Sequence, residues 1–185
     1  MGKLTFILGG ARSGKSSYAQ KLAEDSGVPV TFIATAQALD EDMSARIKQH
    51  QEDRPADWVT SEIQLNIAEH LRKDPIKTDV VLLDCITLLV NNLFMTYVND
   101  DFVDEKQAMQ AMQKEIDNLL ALIREGKQDW IVISNEVGLG IVPAYQMGRA
   151  YRDILGWVNQ KLAREADEVY WMVAGIPVPI EQFRK

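Results

Sequence analysis

Cysteine is almost missing from this sequence: Cys85 is the only one in 185 residues, and histidine occurs twice. A lone cysteine excludes an intrachain disulfide and a cysteine-built zinc centre, and it suits a reducing compartment. No uninterrupted apolar run approaches the roughly 20 residues of a membrane-spanning helix. The opening "LTFIL" is too short for a secretory signal. A basic surplus is lacking too, since 20 Lys+Arg stand against 27 Asp+Glu for a net charge of −7. That balance argues against a nucleic-acid binder, which needs a basic field to displace counterions from phosphates. A local basic site for a small phosphorylated ligand stays compatible with it. Internal repeats and low-complexity segments are also absent. The expectation is a cytoplasmic, soluble protein with one domain over residues 1–185.

What is present is an alternation of short apolar runs with longer helical patterns. "KLTFILGG", "VPVTFIATA", "DVVLLDC", "DWIVISNEV" and "DEVYWMVAG" read as strands, with "DWVTSE" as a further short one. They are continuous apolar runs rather than apolar/polar alternations, as in parallel strands covered on both faces. Helices are predicted over Ser16–Asp25, Ala38–Gln51, Leu65–Leu71, Asp104–Arg124 and Tyr151–Ala166. In Asp104–Arg124, Met109, Met112, Ile116, Leu119 and Ile123 form one apolar stripe, with methionine as core filler. This order predicts an α/β fold, a mostly parallel β-sheet flanked by helices.

"GGARSGKS" lies between the first strand and the first helix and matches G-x-x-x-x-G-K-[ST]. The run is Gly9, Gly10, Ala11, Arg12, Ser13, Gly14, Lys15 and Ser16. Glycines let successive N–H groups turn toward phosphate oxygens, and the helix N-terminus adds partial positive charge. Lys15 is expected to reach the β- and γ-phosphates of a nucleotide and Ser16 to bind Mg²⁺. Asp84, ending the apolar run "VVLLD", is the expected acidic partner of the metal. A Gly-rich turn and a capping carboxylate are the plainer alternatives. The chain lacks an N-K-x-D motif for guanine and a D-x-x-G switch, which weighs against a regulatory GTPase.

Within "SARIKQHQEDRP", Arg46 and His50 fall at i and i+4 on a helix, with Arg54 one turn beyond. An imidazole between two guanidiniums can attack an α-phosphate, and the flanking cations both stabilise the developing charge and disfavour imidazolium. On spacing alone, a solvated surface histidine is the simpler account, and His70 in "NIAEHLRK" keeps that account.

The blocks "GGARSGKSSYAQ", "FIATAQALDEDMSARIKQHQEDRP", "DWVTSE", "LLDCITLLVNNLF", "ISNEVGLGIVP" and "GRAYRDILGWVNQKLAREADEVYWMVAGIP" together resemble the bifunctional adenosylcobinamide kinase/adenosylcobinamide-phosphate guanylyltransferase family of cobalamin biosynthesis. They occur in the family's order and cover most of the chain. The R-I-x-x-H-x-x-x-R-P and N-E-V-G-x-G-x-V-P blocks are far more specific than the Gly-rich loop. The resemblance implies a RecA-like P-loop architecture, a homotrimer, and two reactions. ATP or GTP phosphorylates adenosylcobinamide; GTP then gives GMP to a histidine, here His50, from which adenosylcobinamide phosphate takes it. It also implies a nucleotide site of Gly9–Ser16, Ala34, Thr35, Ala36, Gln51, Glu52, Asp53, Arg54, Glu62 and Asp84.

Glu136 follows the fourth strand and is a candidate base for the kinase step, or a solvated carboxylate in a turn. Arg149 and Arg152 offer phosphate contacts or helix-surface ion pairs. Tyr170, Trp157 and Trp171 are expected in the core or an interface. Two other readings stay open from sequence: a simple small-molecule kinase in which His50 is inert, and a RecA-like ATPase module coupling hydrolysis to a partner.

Overall fold

The computed structural model describes residues 2–36, 55–100 and 102–183. In chain order it contains β1 (Leu4–Gly9), α1 (Lys15–Glu24), β2 (Val30–Ala34), β3 (Val59–Glu62), α2 (Ile67–Lys73) and β4 (Val80–Asp84). There follow α3 (Ile86–Met95), β5 (Val98–Asn99), β6 (Phe102–Val103), α4 (Glu105–Glu125), β7 (Asp129–Asn135), α5 (Gln146–Glu165), β8 (Glu168–Val173) and β9 (Ile176–Pro179). The predicted helix over Ala38–Gln51 lies outside the described residues.

Seven strands form one sheet in the order β3-β2-β4-β7-β1-β8-β9. Every neighbouring pair is parallel except the β8–β9 hairpin. The expected α/β fold, a mostly parallel sheet flanked by helices, is the observed one. The strands read as continuous apolar runs because alternate side chains enter two different cores. Phe6, Val81, Leu83 and Val132 pack with α2, α3, α4 and α5 on one face. Ile7, Val80, Leu82, Ile131 and Ile133 pack with Ala19 and Ala23 of α1 on the other. A two-residue period divided between two apolar layers leaves no polar face on a strand.

Four differences from the sequence reading have local causes. Helix α3 occupies "ITLLVNNLFM", which carries no clear polar face because it packs against β7, α4 and α5 at once. Helix α2 begins at Ile67 rather than Leu65, because Asn66 takes a left-handed φ of 54° that no α-helix accommodates. Helix α5 begins at Gln146, before Gly148, whose low helix propensity favours a later start. Strand β9 contains Pro177 and Pro179, which lack N–H groups, yet as the edge strand it has no outer partner among the described residues that would need them.

Candidate functional site

The strand register brings the candidate residues to one edge of the sheet. At the carboxyl ends, Ala34 pairs with Asp84 on one side and Glu62 on the other. Gly9 likewise pairs with Asn135 and Met172. Ligands of open parallel sheets bind at this edge, where chain connections diverge to either side. Here the chain leaves β1 toward β2 on one side, while β8 flanks β1 on the other.

The loop between β1 and α1 is shaped by close backbone approaches. A Cβ on Gly9 would lie 2.8 Å from the Met172 carbonyl oxygen, and one on Gly14 would lie 3.0 Å from the Gly175 Cα. Gly14 also takes φ +94°, and Arg12 takes φ +56°. The loop folds on itself through Ser13 N donating to Gly10 O at 3.3 Å, and Gly14 O accepts the first bond of α1 from Tyr18 N at 3.0 Å.

Lys15 is buried, and its Nζ donates to Gly10 O at 2.7 Å. Burial lowers its pKa below the ordinary lysine value, while neighbouring Cys85 and Asp84 act in the opposite direction. An ammonium inside the loop has donor capacity beyond that single carbonyl, which an anionic ligand would satisfy. The Ser13 hydroxyl is buried with no hydrogen-bond partner among the described residues. A desolvated cation, an orphaned hydroxyl and a left-handed glycine at a helix N-terminus together fit a phosphate group.

Beside the loop, the ends of β2 and β4 are tied through Thr35. Its N–H donates to Asp84 O at 3.2 Å, and its hydroxyl donates to Cys85 O at 2.7 Å and accepts from Cys85 N at 2.8 Å. Asn92 Nδ2, from α3, donates to Thr35 O at 2.9 Å and to Gln64 O at 3.2 Å. Half-buried Asp84 is thereby held at the strand mouth next to Lys15. Burial, then the Asp84 charge, push the Cys85 thiol up to about 12, so Cys85 is an inert packing residue. Ser16 opens α1 half-buried, and Mg²⁺ sites commonly take one or two protein oxygens and complete themselves with phosphate and water. Ser16 and Asp84 suit that donor set. Among the described residues no group of three or more His, Cys, Asp or Glu side chains forms an all-protein metal site.

A buried polar network fixes the end of β7. Asn135 N donates to Thr87 Oγ1 at 2.7 Å, and Asn159 Nδ2 donates to Asn135 O at 3.0 Å. Ser134 Oγ donates to Asn159 Oδ1 at 2.6 Å, and the Tyr151 hydroxyl donates to Thr87 O at 3.1 Å. Glu136 N then donates to Gly9 O at 3.0 Å, joining this edge to the loop. The Glu136 carboxylate is half-buried and accepts from Gly138 N.

The remaining candidates are distributed as follows. Glu62 is exposed at the end of β3, and Ala34 and Ala36 lie on either side of Thr35 at the β2 exit. Gly10 is partly covered, while Ala11 and Arg12 face solvent at the loop tip. Arg149 donates to the carbonyls of Pro143 and Ala144 and so organises the loop before α5, while Arg152 pairs with Asp153 at 3.1 Å. His70 is exposed, with Nδ1 3.1 Å from Asn66 O. Trp157 packs against the core, Tyr170 meets Tyr18 edge-on, and Trp171 is partly exposed. His50, Arg46, Gln51, Glu52, Asp53 and Arg54 lie outside the described residues.

Sequence reading did not single out Thr87, Asn92, Asn159 or Gly175. Only Asn159 left a signal: it interrupts the apolar stripe Leu155, Val158 and Leu162 on α5, where a buried amide needs partners.

A family model described as "Cobinamide kinase / cobinamide phosphate guanyltransferase" matches residues 5–180. The bifunctional adenosylcobalamin biosynthesis protein CobU of Escherichia coli (strain K12) is 44% identical over 181 residues, covering 96% of this chain and 99% of that protein. CobU of Salmonella typhimurium is 41% identical over 181 residues, with the same two coverages of 96% and 99%. The bifunctional protein CobP of Pseudomonas aeruginosa is 42% identical over 175 residues, covering 95% of each chain. Among solved structures, the RadB recombinase superposes with TM-score 0.51 at 14% identity, over 91% of this chain and 73% of that one. That likeness concerns the fold alone, and it is the expected RecA-like P-loop architecture.

Proposed function

Because this chain belongs to the cobinamide kinase / cobinamide phosphate guanyltransferase family, we propose that it phosphorylates adenosylcobinamide with ATP or GTP and then transfers GMP from GTP to adenosylcobinamide phosphate. The observation that carries the nucleotide part is buried Lys15, bonded to Gly10 O inside a loop that ends in left-handed Gly14 at the N-terminus of α1.

In the first reaction the substrate hydroxyl oxygen attacks the γ-phosphorus, the bond to the β–γ bridging oxygen breaks, and the nucleoside diphosphate leaves. Lys15 and the loop amides stabilise charge on the phosphate oxygens. Glu136, whose N–H donates to Gly9 O beside the loop, takes the hydroxyl proton in this reading. Ser16 and Asp84 would hold Mg²⁺, which neutralises charge on the terminal phosphates.

In the second reaction a neutral His50 nitrogen attacks the α-phosphorus of GTP and expels pyrophosphate. A phosphate oxygen of adenosylcobinamide phosphate then attacks that phosphorus, the P–N bond breaks, and adenosylcobinamide-GDP is released with His50 restored. Arg46 and Arg54 flank His50 in sequence and supply the cations for this phosphorus centre. Gln51, Glu52, Asp53, Glu62 and the Ala34–Ala36 turn complete the nucleotide site. The protein acts in the cytoplasm as a homotrimer. The exposed apolar side chains Leu139, Ile141 and Val142 support self-association, and no helix among the described residues is long and apolar enough to cross a membrane.

The test uses Mg²⁺ and α-phosphate-labelled GTP with wild type and His50→Ala. Acid-labile, alkali-stable label on wild type only, with cobinamide phosphorylation retained by both proteins, is expected. Phosphorylation by both without label on either leaves a simple kinase and refutes the histidine route.

A further inference from the structure

The β8–β9 turn touches the phosphate loop from outside and carries none of its chemistry. Gly175 N donates to Ser13 O at 2.9 Å. Gly175 takes φ +80°, and Ala174 before it takes φ +50°, a conformation uncommon for a residue with a Cβ. The approach is close, since a Cβ on Gly14 would reach Gly175 Cα at 3.0 Å and Met172 Cε at 3.8 Å. On the same side, Met172 closes on Gly9. Two consecutive left-handed residues thus turn the hairpin so that its amide meets the loop carbonyl.

This bond has a directional consequence. In a trans peptide the C=O and the following N–H point in opposite directions. With Ser13 O drawn outward to Gly175 N, the Gly14 N–H is turned away from the hairpin, toward the interior of the loop. That N–H is among the donors a phosphate oxygen meets there. In solution an isolated Gly-containing peptide unit rotates easily, and the outer bond removes that freedom before a ligand arrives.

We propose that Gly175 is a positioning residue for nucleotide binding, its N–H clamping the Ser13–Gly14 peptide in the phosphate-receiving orientation. The inference rests on the nucleotide reading given above. It assigns a role in ligand binding to the edge hairpin, whose antiparallel return strand brings the turn back over the loop.

A matched control exists in the molecule. Gly27, in the α1–β2 connection, also has positive φ (+67°), and a Cβ at either Gly27 or Gly175 meets nothing within 4 Å. Gly175→Ala and Gly27→Ala therefore impose the same kind of backbone cost without a clash, and only the first disturbs the clamp. Titration of Mg²⁺–GTP into each protein, with thermal unfolding alongside, separates structure from positioning. Both variants should lose similar thermal stability, while Gly175→Ala alone weakens GTP binding, by about tenfold or more. Equal GTP affinity in the two variants overturns the clamp and leaves nucleotide binding intact. No GTP binding by wild type overturns the nucleotide reading, and the clamp with it. Should Gly175→Ala fail to fold, hydrogen exchange of wild type decides. GTP should slow exchange of the Gly175 amide together with the amides of residues 9–16; slowing of the loop without Gly175 overturns the proposal.

Discussion

Thr35 and Cys85, the first residues past the ends of neighbouring strands β2 and β4, satisfy one another. The Cys85 N–H donates to the Thr35 hydroxyl at 2.8 Å, and that hydroxyl donates to the Cys85 carbonyl at 2.7 Å. Both residues are buried, Thr35 one residue beyond Ala34 and Cys85 one residue beyond Asp84. A two-atom link thus sets how far apart the mouths of β2 and β4 stand, and with them the acidic partner of the phosphate loop.

Thr35→Val keeps the side-chain shape but strands the buried Cys85 N–H, while the Cys85 C=O keeps the Leu89 N–H at 3.2 Å. It should lower unfolding free energy by about 1–3 kcal/mol, read by urea denaturation, and reduce phosphorylation of cobinamide. Thr35→Ser retains both bonds and should lose only about 1 kcal/mol for the missing methyl. Equal losses in the two variants would show that the hydroxyl bridge contributes nothing.

Lys15→Met should abolish phosphorylation while leaving the ligand-free protein as stable as wild type or more so, because the buried ammonium is desolvated. The pH dependence has a defined sign. With a folded pKa depressed below 10.5, the unfolded chain binds the proton more tightly, so wild type gains stability as pH rises through that window. Any advantage of Lys15→Met should shrink toward pH 10.5. A constant difference across that range in thermal melts contradicts the assignment.

Asn159→Leu substitutes an apolar group of similar size but removes the amide donor from Asn135 O and the short acceptor from Ser134 Oγ, which keeps only its 3.5 Å contact with Thr87 Oγ1. Stability should fall by about 2–4 kcal/mol, and kcat should fall with it because the β7 edge carrying Glu136 loses its anchor. Full activity in a destabilised protein would confine Asn159 to a structural role.

Glu115, buried on α4, accepts from Ile67 N at 3.0 Å and so caps the N-terminus of α2 from another helix. Burial raises its pKa above 4.5, and the backbone bonds only partly offset this. In the window between 4.5 and the folded value, the native state holds the proton and the unfolded state does not, so stability falls as pH rises. Glu115→Gln should remove this slope and surpass wild type above the window. Parallel stability–pH curves for the two proteins would refute the shift.

The six parallel strands, the phosphate loop and most helices were legible in the sequence because their causes are local. Apolar runs bounded by Gly9, Asp84 and Asn135 mark strands, and the three-four stripe of α4 marks a helix. Helix α3 was not legible, since burial on several sides removes the polar face by which a helix is recognised. Nor was the Glu115 cap, which joins residues 48 apart.

The sequence by itself determined the alternation of the parallel strands with most of the helices, the position of Lys15 at a strand-to-helix turn, and the family blocks that include His50. Each depends on neighbours within a few residues. Only the tertiary structure decided that Asn159 holds Asn135, that Thr35 closes on Cys85, and that Gly175 reaches Ser13. Those bonds depend on which strands become neighbours and in what register, and that is set by how the whole sheet buries its two faces.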